Sequence, residues 1–372
     1  MRIGIDATLA TGHGPGLGRY ARELIRALVA EYGAEALALW NVSRMPQVEA
    51  LGLPDPPPQQ FRLALPRRLA APLAKLGLHP GRRLAPIDGF HRVHPGVPVL
   101  RGTPHTVAVT EGPPPSPGVP RPGDWGPQWT EEAHSAHALF FFSSDLQSRF
   151  AGAFPGAGDR CHTVPVGADH WLRDLGGARP QARPWFVVLG APVRRRRVEE
   201  LLRGYQHYRT TGGTLGLHWI GATPAPDIRA AAQELPGWQF IAPDERQLPV
   251  WVAEAQGLIH LAQDEGTPVT PLEACTVGLP VAVQDLPVFR EALPAGTLWV
   301  PENLDAIGLA EVMHDLSKHS RRIPAVVTGY TWRDAAFAHW RVCPSRWNNE
   351  HTEPGRSVHT RGVLRTLREL WD

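Results

Sequence analysis

GLIHLAQDEGTPVTPLEACTVGLP, residues 257–280, carries a strand, a turn and a helix in direct succession. Its opening apolar run, Gly257 to Ala262, suits a strand buried on both faces of a parallel sheet. The turn Asp264-Glu265-Gly266-Thr267-Pro268 follows. Thr270 then reads as a helix N-cap, Pro271 as the first helical residue and Gly278 as the stop. A strand, a turn and a helix N-terminus frame a crevice at the carboxyl end of a sheet, where open α/β proteins bind ligands. Glu265 and Glu273 flank that turn with seven residues between them. Read alone, Glu273 has the spacing of a capping box with Thr270, and Glu265 is an ordinary turn acid.

Upstream, Trp185 to Leu189 reads as the first strand of the same sheet, with Gly190 to Arg197 as its turn and a helix from Val198. Arg194, Arg195, Arg196 and Arg197 therefore crowd a helix N-terminus, where cations oppose the macrodipole unless an anion is bound. Guanidinium forks and free backbone amides together suit a diphosphate; the plain alternative is a solvated arginine run. Leu215 to Gly221, Trp238 to Ile241 and Val281 to Val283 read as further strands, and Pro243 to Ala255 as a loop and helix.

The first half repeats the pattern. Arg2 to Ala7 reads as a buried strand, Gly12 to Gly18 as a glycine loop and Arg19 to Ala30 as a helix. Tyr20, Leu24, Ile25, Leu28 and Val29 share one face of it. Gly16 and Gly18 let backbone amides approach a phosphate, or simply allow a tight turn. The strand Ala36 to Trp40 ends at Asn41 and offers no acidic residue to an adenosine ribose, which counts against a nicotinamide cofactor. Thr106 to Thr110 and Ala138 to Ser143 read as strands. Glu131, Glu132, His134 and His137 read as a helix surface rather than a metal site, because the histidine spacing is shorter than in HExxH. No D-x-D pair occurs, so no metal is expected.

A chain of 372 residues, 42% hydrophobic and 20% charged, suggests two soluble domains. A net charge of +2 gives no support to nucleic-acid binding. The three cysteines form no C-x-x-C pair, which fits a reduced, cytoplasmic setting. Met1 leads straight into a strand, so no signal peptide is expected, and no uncharged apolar run reaches the roughly 18 residues of a membrane span.

The Glu265-x7-Glu273 spacing in this setting resembles the donor-site motif of retaining GT-B glycosyltransferases of family 4. The resemblance extends to MRIGIDA…GLGRYARELIRAL, to Ile87-Asp88-Gly89-Phe90-His91, to Val164-Pro165-Val166-Gly167-Ala168-Asp169, to Asp285-Leu286-Pro287-Val288-Phe289-Arg290-Glu291 and to Thr331-Trp332-Arg333-Asp334-Ala335-Ala336. It implies a GT-B fold, two Rossmann-like domains facing each other across a cleft. The expected boundaries are an acceptor-side domain over 1–175, a linker over 176–184, a nucleotide-sugar domain over 185–340 and an extension over 341–372 packing back on the first domain. It further implies a hexosyltransferase with no cofactor, taking a UDP- or GDP-sugar donor and a glycan or lipid-linked acceptor in polysaccharide synthesis. Glu265, Arg195 and Arg196 would be catalytic, with Glu265 holding the hexose and Glu273 the donor ribose. Gly266, Thr267 and Gly190 would line the donor, and Gly16 and Gly18 the phosphates or acceptor. The basic, proline-rich segment 53–86 would touch anionic lipid on the inner face of the membrane, or form a solvated helix face. The family's histidine-aspartate pair is Thr110 and Glu111 here, and its G-F-G-L-P is Gly266-Thr267-Pro268-Val269-Thr270. Those departures motivate the rival expectation of a weakened member that binds sugar nucleotides as a scaffold subunit.

Overall fold

The computed structural model describes residues 1–10, 16–42, 51–63, 87–95, 103–113, 121–177, 181–244, 247–319 and 331–342. The early part of the glycine loop, the cations of segment 64–86 and the 343–372 extension with its expected helix lie outside the described residues.

Thirteen strands form two sheets among those residues, and every pairing is parallel. The first sheet holds β1 (Ile3–Asp6), β2 (Leu37–Val42), β3 (Gln59–Leu63), β4 (Gly89–Arg92), β5 (His105–Val109), β6 (Ala138–Phe141) and β7 (Cys161–Thr163), in the order β3-β2-β1-β4-β5-β6-β7. The second holds β8 (Trp185–Leu189), β9 (Gly216–Ile220), β10 (Trp238–Ile241), β11 (Gly257–His260), β12 (Val281–Gln284) and β13 (Leu298–Val300), in the order β10-β9-β8-β11-β12-β13. Each sheet thus reverses direction of growth beside its first strand, the doubly wound arrangement in which ligands sit outside the carboxyl ends at the switch point.

Period-two alternation splits each strand between two cores. Phe186 and Val188 of β8 point into one apolar cluster, Val187 and Leu189 into another. In the first sheet Val107 and Val109 pack with Trp125, Trp129 and Phe150, while Ala108 faces the opposite cluster. That opposite cluster also takes in Val269 and Leu272 from beyond β11 and Trp332, Ala335 and Ala336 from the last described helix. The two halves therefore share apolar packing.

Helices complete the layers: α1 (Leu17–Tyr32), α2 (Pro122–Trp125), α3 (Pro127–Ser135), α4 (Ser144–Ala153), α5 (His170–Leu175), α6 (Val198–Thr210), α7 (Pro226–Gln233), α8 (Leu248–Glu254), α9 (Val269–Thr276), α10 (Pro287–Ala292), α11 (Ala306–Lys318) and α12 (Trp332–Arg341). Three local expectations change. Helix α9 starts at Val269 with Pro268 as its N-cap, so neither Thr270 nor Pro271 opens it, and Glu273 closes no capping box. Its far end matches the expectation: Gly278 N–H donates to Cys275 O and Leu279 N–H to Ala274 O, a Schellman closure. Ser143 belongs to no strand; its hydroxyl accepts the Leu146 N–H and caps α4. Finally, Glu132 is not on a helix surface. It shares the inner face of α3 with Trp129 and Ala133, and it is buried against Arg92 at 2.5 Å and His105 at 3.1 Å.

Candidate active site

The two turns singled out in the sequence leave adjacent strands across the second switch point: Gly190 to Arg197 after β8, and Asp264 to Pro268 after β11. Gly190 has a φ of 117°, a region that side chains avoid, and its N–H donates to Ile220 O. A 3-10 turn over Arg194–Arg196 follows, and Arg197 in the left-handed region opens α6. The loops are tied together where Gln263 N–H donates to Arg195 O at 2.9 Å.

Arg196 and Glu265 meet in this corner. Arg196 Nη1 lies 2.6 Å from Glu265 Oε2, both side chains being largely buried, while half-exposed Arg195 stands 3.9 Å from Oε1. Arg196 Nη1 also donates to His260 Nε2 at 2.6 Å. An acceptor at Nε2 requires a neutral ring, and burial with the Arg196 charge pushes the His260 pKa down to about 4. Burial alone would raise the Glu265 carboxyl; contact with His260 and the charges of Arg196 and Arg195 more than reverse this and keep it ionised. The corner is therefore a carboxylate and two guanidiniums, with Arg195 and Arg194 facing solvent. Arg197 does not join them. Its Nη1 donates to Gln284 Oε1 at 2.8 Å and to Glu302 O at 2.6 Å, so a four-arginine clamp does not form.

The remaining expected residues lie on the Glu265 turn, on α9 and at the start of α1. Gly266 is buried against Thr110 of the first half, and Thr267 is partly exposed beside it. Glu273 sits deeper, on α9, fully buried, with Arg19 Nη1 at 2.7 and 2.5 Å from its two oxygens. Gly18 is held against Leu9 O, while Gly16 caps α1 in the open. Neither glycine is brought to Arg196 and Glu265 by any contact among the described residues; Arg19, the next residue on α1, is what reaches the second half. No group of three or more histidine, cysteine or acidic side chains suited to a metal forms among the described residues.

No family model matches the chain. One curated relative, the O-antigen chain mannosyltransferase RfbU of Salmonella typhimurium, is 39% identical over 54 residues, covering 14% of this chain and 15% of that protein. Solved structures superpose over nearly the whole length. The sucrose-phosphate synthase of Thermosynechococcus elongatus matches with a TM-score of 0.58 at 16% identity, over 95% of this chain and 98% of that one. Anabaena Alr3699/HepE, solved with UDP and glucose, matches with a TM-score of 0.60 at 12% identity, over 95% and 98%.

The fold is GT-B.

Within the GT-B frame, four participants were missed in the sequence. His260 closes an apolar run and is itself buried, and its Nε2 meets Arg196 where the strand ends. Arg19 could have been noticed as a cation in the first turn of an apolar-faced helix. His170 follows the expected Val164 to Asp169 segment, and its Nε2 lies 3.1 Å from Glu273 Oε1, too oblique for a well-formed hydrogen bond. Glu291, at the end of Asp285 to Glu291, reaches the first half and accepts from the Ser144 and Asp145 N–H groups at 2.7 and 3.0 Å.

Proposed function

We propose that this chain is a retaining glycosyltransferase that moves a hexose from a UDP- or GDP-sugar to a hydroxyl of a glycan or lipid-linked acceptor. The observation that carries the reading is the meeting of Arg196 with Glu265, Oε2 at 2.6 Å, at the switch point of the second sheet with Arg195 beside them. A nucleotide sugar has a dianionic diphosphate next to a ring of hydroxyls. Two guanidiniums complement the first and a carboxylate the second.

In the reaction, negative charge builds on the departing diphosphate while the sugar passes through an oxocarbenium-like state. Arg195, half-exposed, and Arg196, beside Glu265, would stabilise that charge. Glu265, kept ionised by its neighbours, accepts from the hexose hydroxyls and holds the ring beside the leaving oxygen. When the diphosphate enters, Arg196 shares itself between Glu265 and phosphate. Free thiols at Cys161 and Cys275 agree with a reducing, cytoplasmic setting. No helix among the described residues is long and apolar enough to cross a membrane, so a lipid-linked acceptor would be met from its surface.

A second reading is favoured by one contact. Thr110 replaces the family's histidine, and its carbonyl is packed against Gly266. A chain that binds nucleotide sugars without turning them over would tolerate that arrangement.

A panel of UDP-, GDP- and ADP-sugars, scored for thermal stabilisation and for diphosphate release, tests both. Stabilisation with release, lost in Arg195→Ala and Glu265→Gln, is expected. Stabilisation without release, even with cell extract supplying acceptors, selects the binding subunit. No response to any donor rejects the donor site.

A further inference from the structure

Glu273 has a neighbourhood that its expected role does not explain. It is 0% exposed, and a single Arg19 nitrogen bridges both of its oxygens. Burial pushes its carboxyl up, but the Arg19 charge and His170 bring it below the usual range, so it is ionised. Arg19 is itself buried, with its guanidinium 5.5 Å from the centre of the Trp171 ring. His170 completes the cage. Trp332 Nε1 donates to His170 Nδ1 at 2.9 Å, and an indole nitrogen is donor only, so the proton of the neutral imidazole sits on Nε2, facing Glu273. Trp332 N–H donates in turn to Asp169 at 2.8 Å. Arg19 belongs to α1 and Glu273 to α9, so the ion pair spans the two halves where the α5 and α12 segments meet.

A ribose offers two neutral hydroxyl donors. To reach Glu273 it must displace Arg19, because the guanidinium already occupies both oxygens. Expelling a buried guanidinium from a buried carboxylate is costly, and two neutral hydrogen bonds do not offset it. The displacement becomes favourable only when Arg19 finds another anion nearby. The diphosphate of the same nucleotide is such an anion, and guanidinium forks match its oxygens.

We propose that Arg19 is a specificity-determining residue that exchanges Glu273 for the donor diphosphate, so that the ribose site opens only to ligands carrying phosphate. The inference rests on the glycosyltransferase reading of the cleft. It makes Arg19 a third cationic ligand to the donor, supplied by the first half of the chain. Nucleosides, which bring ribose but no anion, are excluded by the same ion pair.

The test is calorimetric titration of uridine, UMP and UDP, with the guanosine and adenosine series alongside, into the wild-type chain, Arg19→Met and Arg19→Lys. In the wild type the diphosphate should bind at least about 100-fold tighter than the nucleoside, the worth of about two charge-assisted hydrogen bonds. In Arg19→Met the nucleoside should gain about tenfold and the diphosphate should weaken, so their ratio falls by at least about tenfold. Arg19→Lys should restore part of the ratio. A merely structural Arg19 would weaken all ligands together. Binding in which Arg19→Met leaves the diphosphate-to-nucleoside ratio unchanged overturns the exchange and leaves the donor site standing. If Arg19→Met does not fold, an unchanged ratio in Arg19→Lys, against a lowered one, decides the same question. Failure of all three proteins to bind any of these ligands overturns the glycosyltransferase reading, and the exchange with it.

Discussion

A methyl group on Gly266 would lie 2.2 Å from the carbonyl oxygen of Thr110 and 2.8 Å from Leu146 Cδ2. The obstacle is backbone, which cannot rotate aside. Only glycine lets the turn carrying Glu265 close on the first half of the chain. Gly266→Ala must push the halves apart or shift β5. The expected cost is about 1–3 kcal/mol, typical of overpacking, read as a lowered urea midpoint. Diphosphate release should fall in parallel, because Glu265 moves with the turn. An unchanged midpoint and unchanged release would show that the turn yields without consequence.

What the sequence disclosed follows the range of the forces involved. Trp185 to Leu189 and Trp238 to Ile241 appear as strands at the expected residues: the first is an uninterrupted apolar run, and the second alternates around an exposed Gln239. The Glu265 and arginine turns were legible for the same local reason. The three-residue edge strands Cys161–Thr163 and Leu298–Val300 are too short to show a period. The short histidine spacing that argues against a metal says nothing of which way Glu132 points, and it turns inward with Trp129 and Ala133. The partner of Glu273 lies 254 residues away, and the partners of Glu291 lie 147 and 146 residues away. No local pattern encodes such pairs; they exist only once two sheets have been brought face to face.

Tyr20 ties α12 to the first sheet through a proton-ordered chain. His339 Nδ1 faces Ala335 O at 2.7 Å, so it must donate, leaving Nε2 to accept from the Tyr20 hydroxyl at 2.7 Å. The Tyr20 oxygen then accepts from His91 Nε2 at 3.2 Å, and His91 Nδ1 accepts from Thr106 Oγ1 at 2.9 Å. The chain is satisfied only with both rings neutral. Burial pushes His339 from 6.5 to about 4, and burial with the nearby His339 and Arg92 puts His91 well below its usual value. Below the unfolded value near 6.5 the unfolded chain binds protons that the folded chain refuses. The contribution is therefore complete above about pH 6.5 and is lost as pH falls toward 4, with a slope of up to about 1.4 kcal/mol per pH unit for each group. Urea midpoints should drop between pH 7.5 and pH 5. His339→Gln should be less stable at pH 7.5 yet show a shallower pH dependence; an identical slope would exclude His339 as a source.

Helix α4 receives caps from both halves of the chain. Ser143 Oγ accepts the Leu146 N–H at 3.2 Å from within the first half, whereas Glu291 accepts the Ser144 and Asp145 N–H groups at 2.7 and 3.0 Å from the second. A carboxylate at a helix N-terminus gains from both the free N–H groups and the macrodipole. Glu291 is fixed beside Arg290, whose Nε and Nη2 each sit 2.7 Å from an Asp285 oxygen and whose guanidinium stacks 3.9 Å from the centre of the Trp299 ring. The two caps should therefore separate on mutation. Ser143→Ala should cost about 1 kcal/mol and act on the first half alone. Glu291→Ala should cost a similar amount, and it should also release the Ser144 and Asp145 amides to exchange with solvent about fivefold faster. Hydrogen exchange resolved at those two amides checks this directly. Faster exchange in Ser143→Ala but not in Glu291→Ala would mean that the contact between the halves contributes nothing to holding α4.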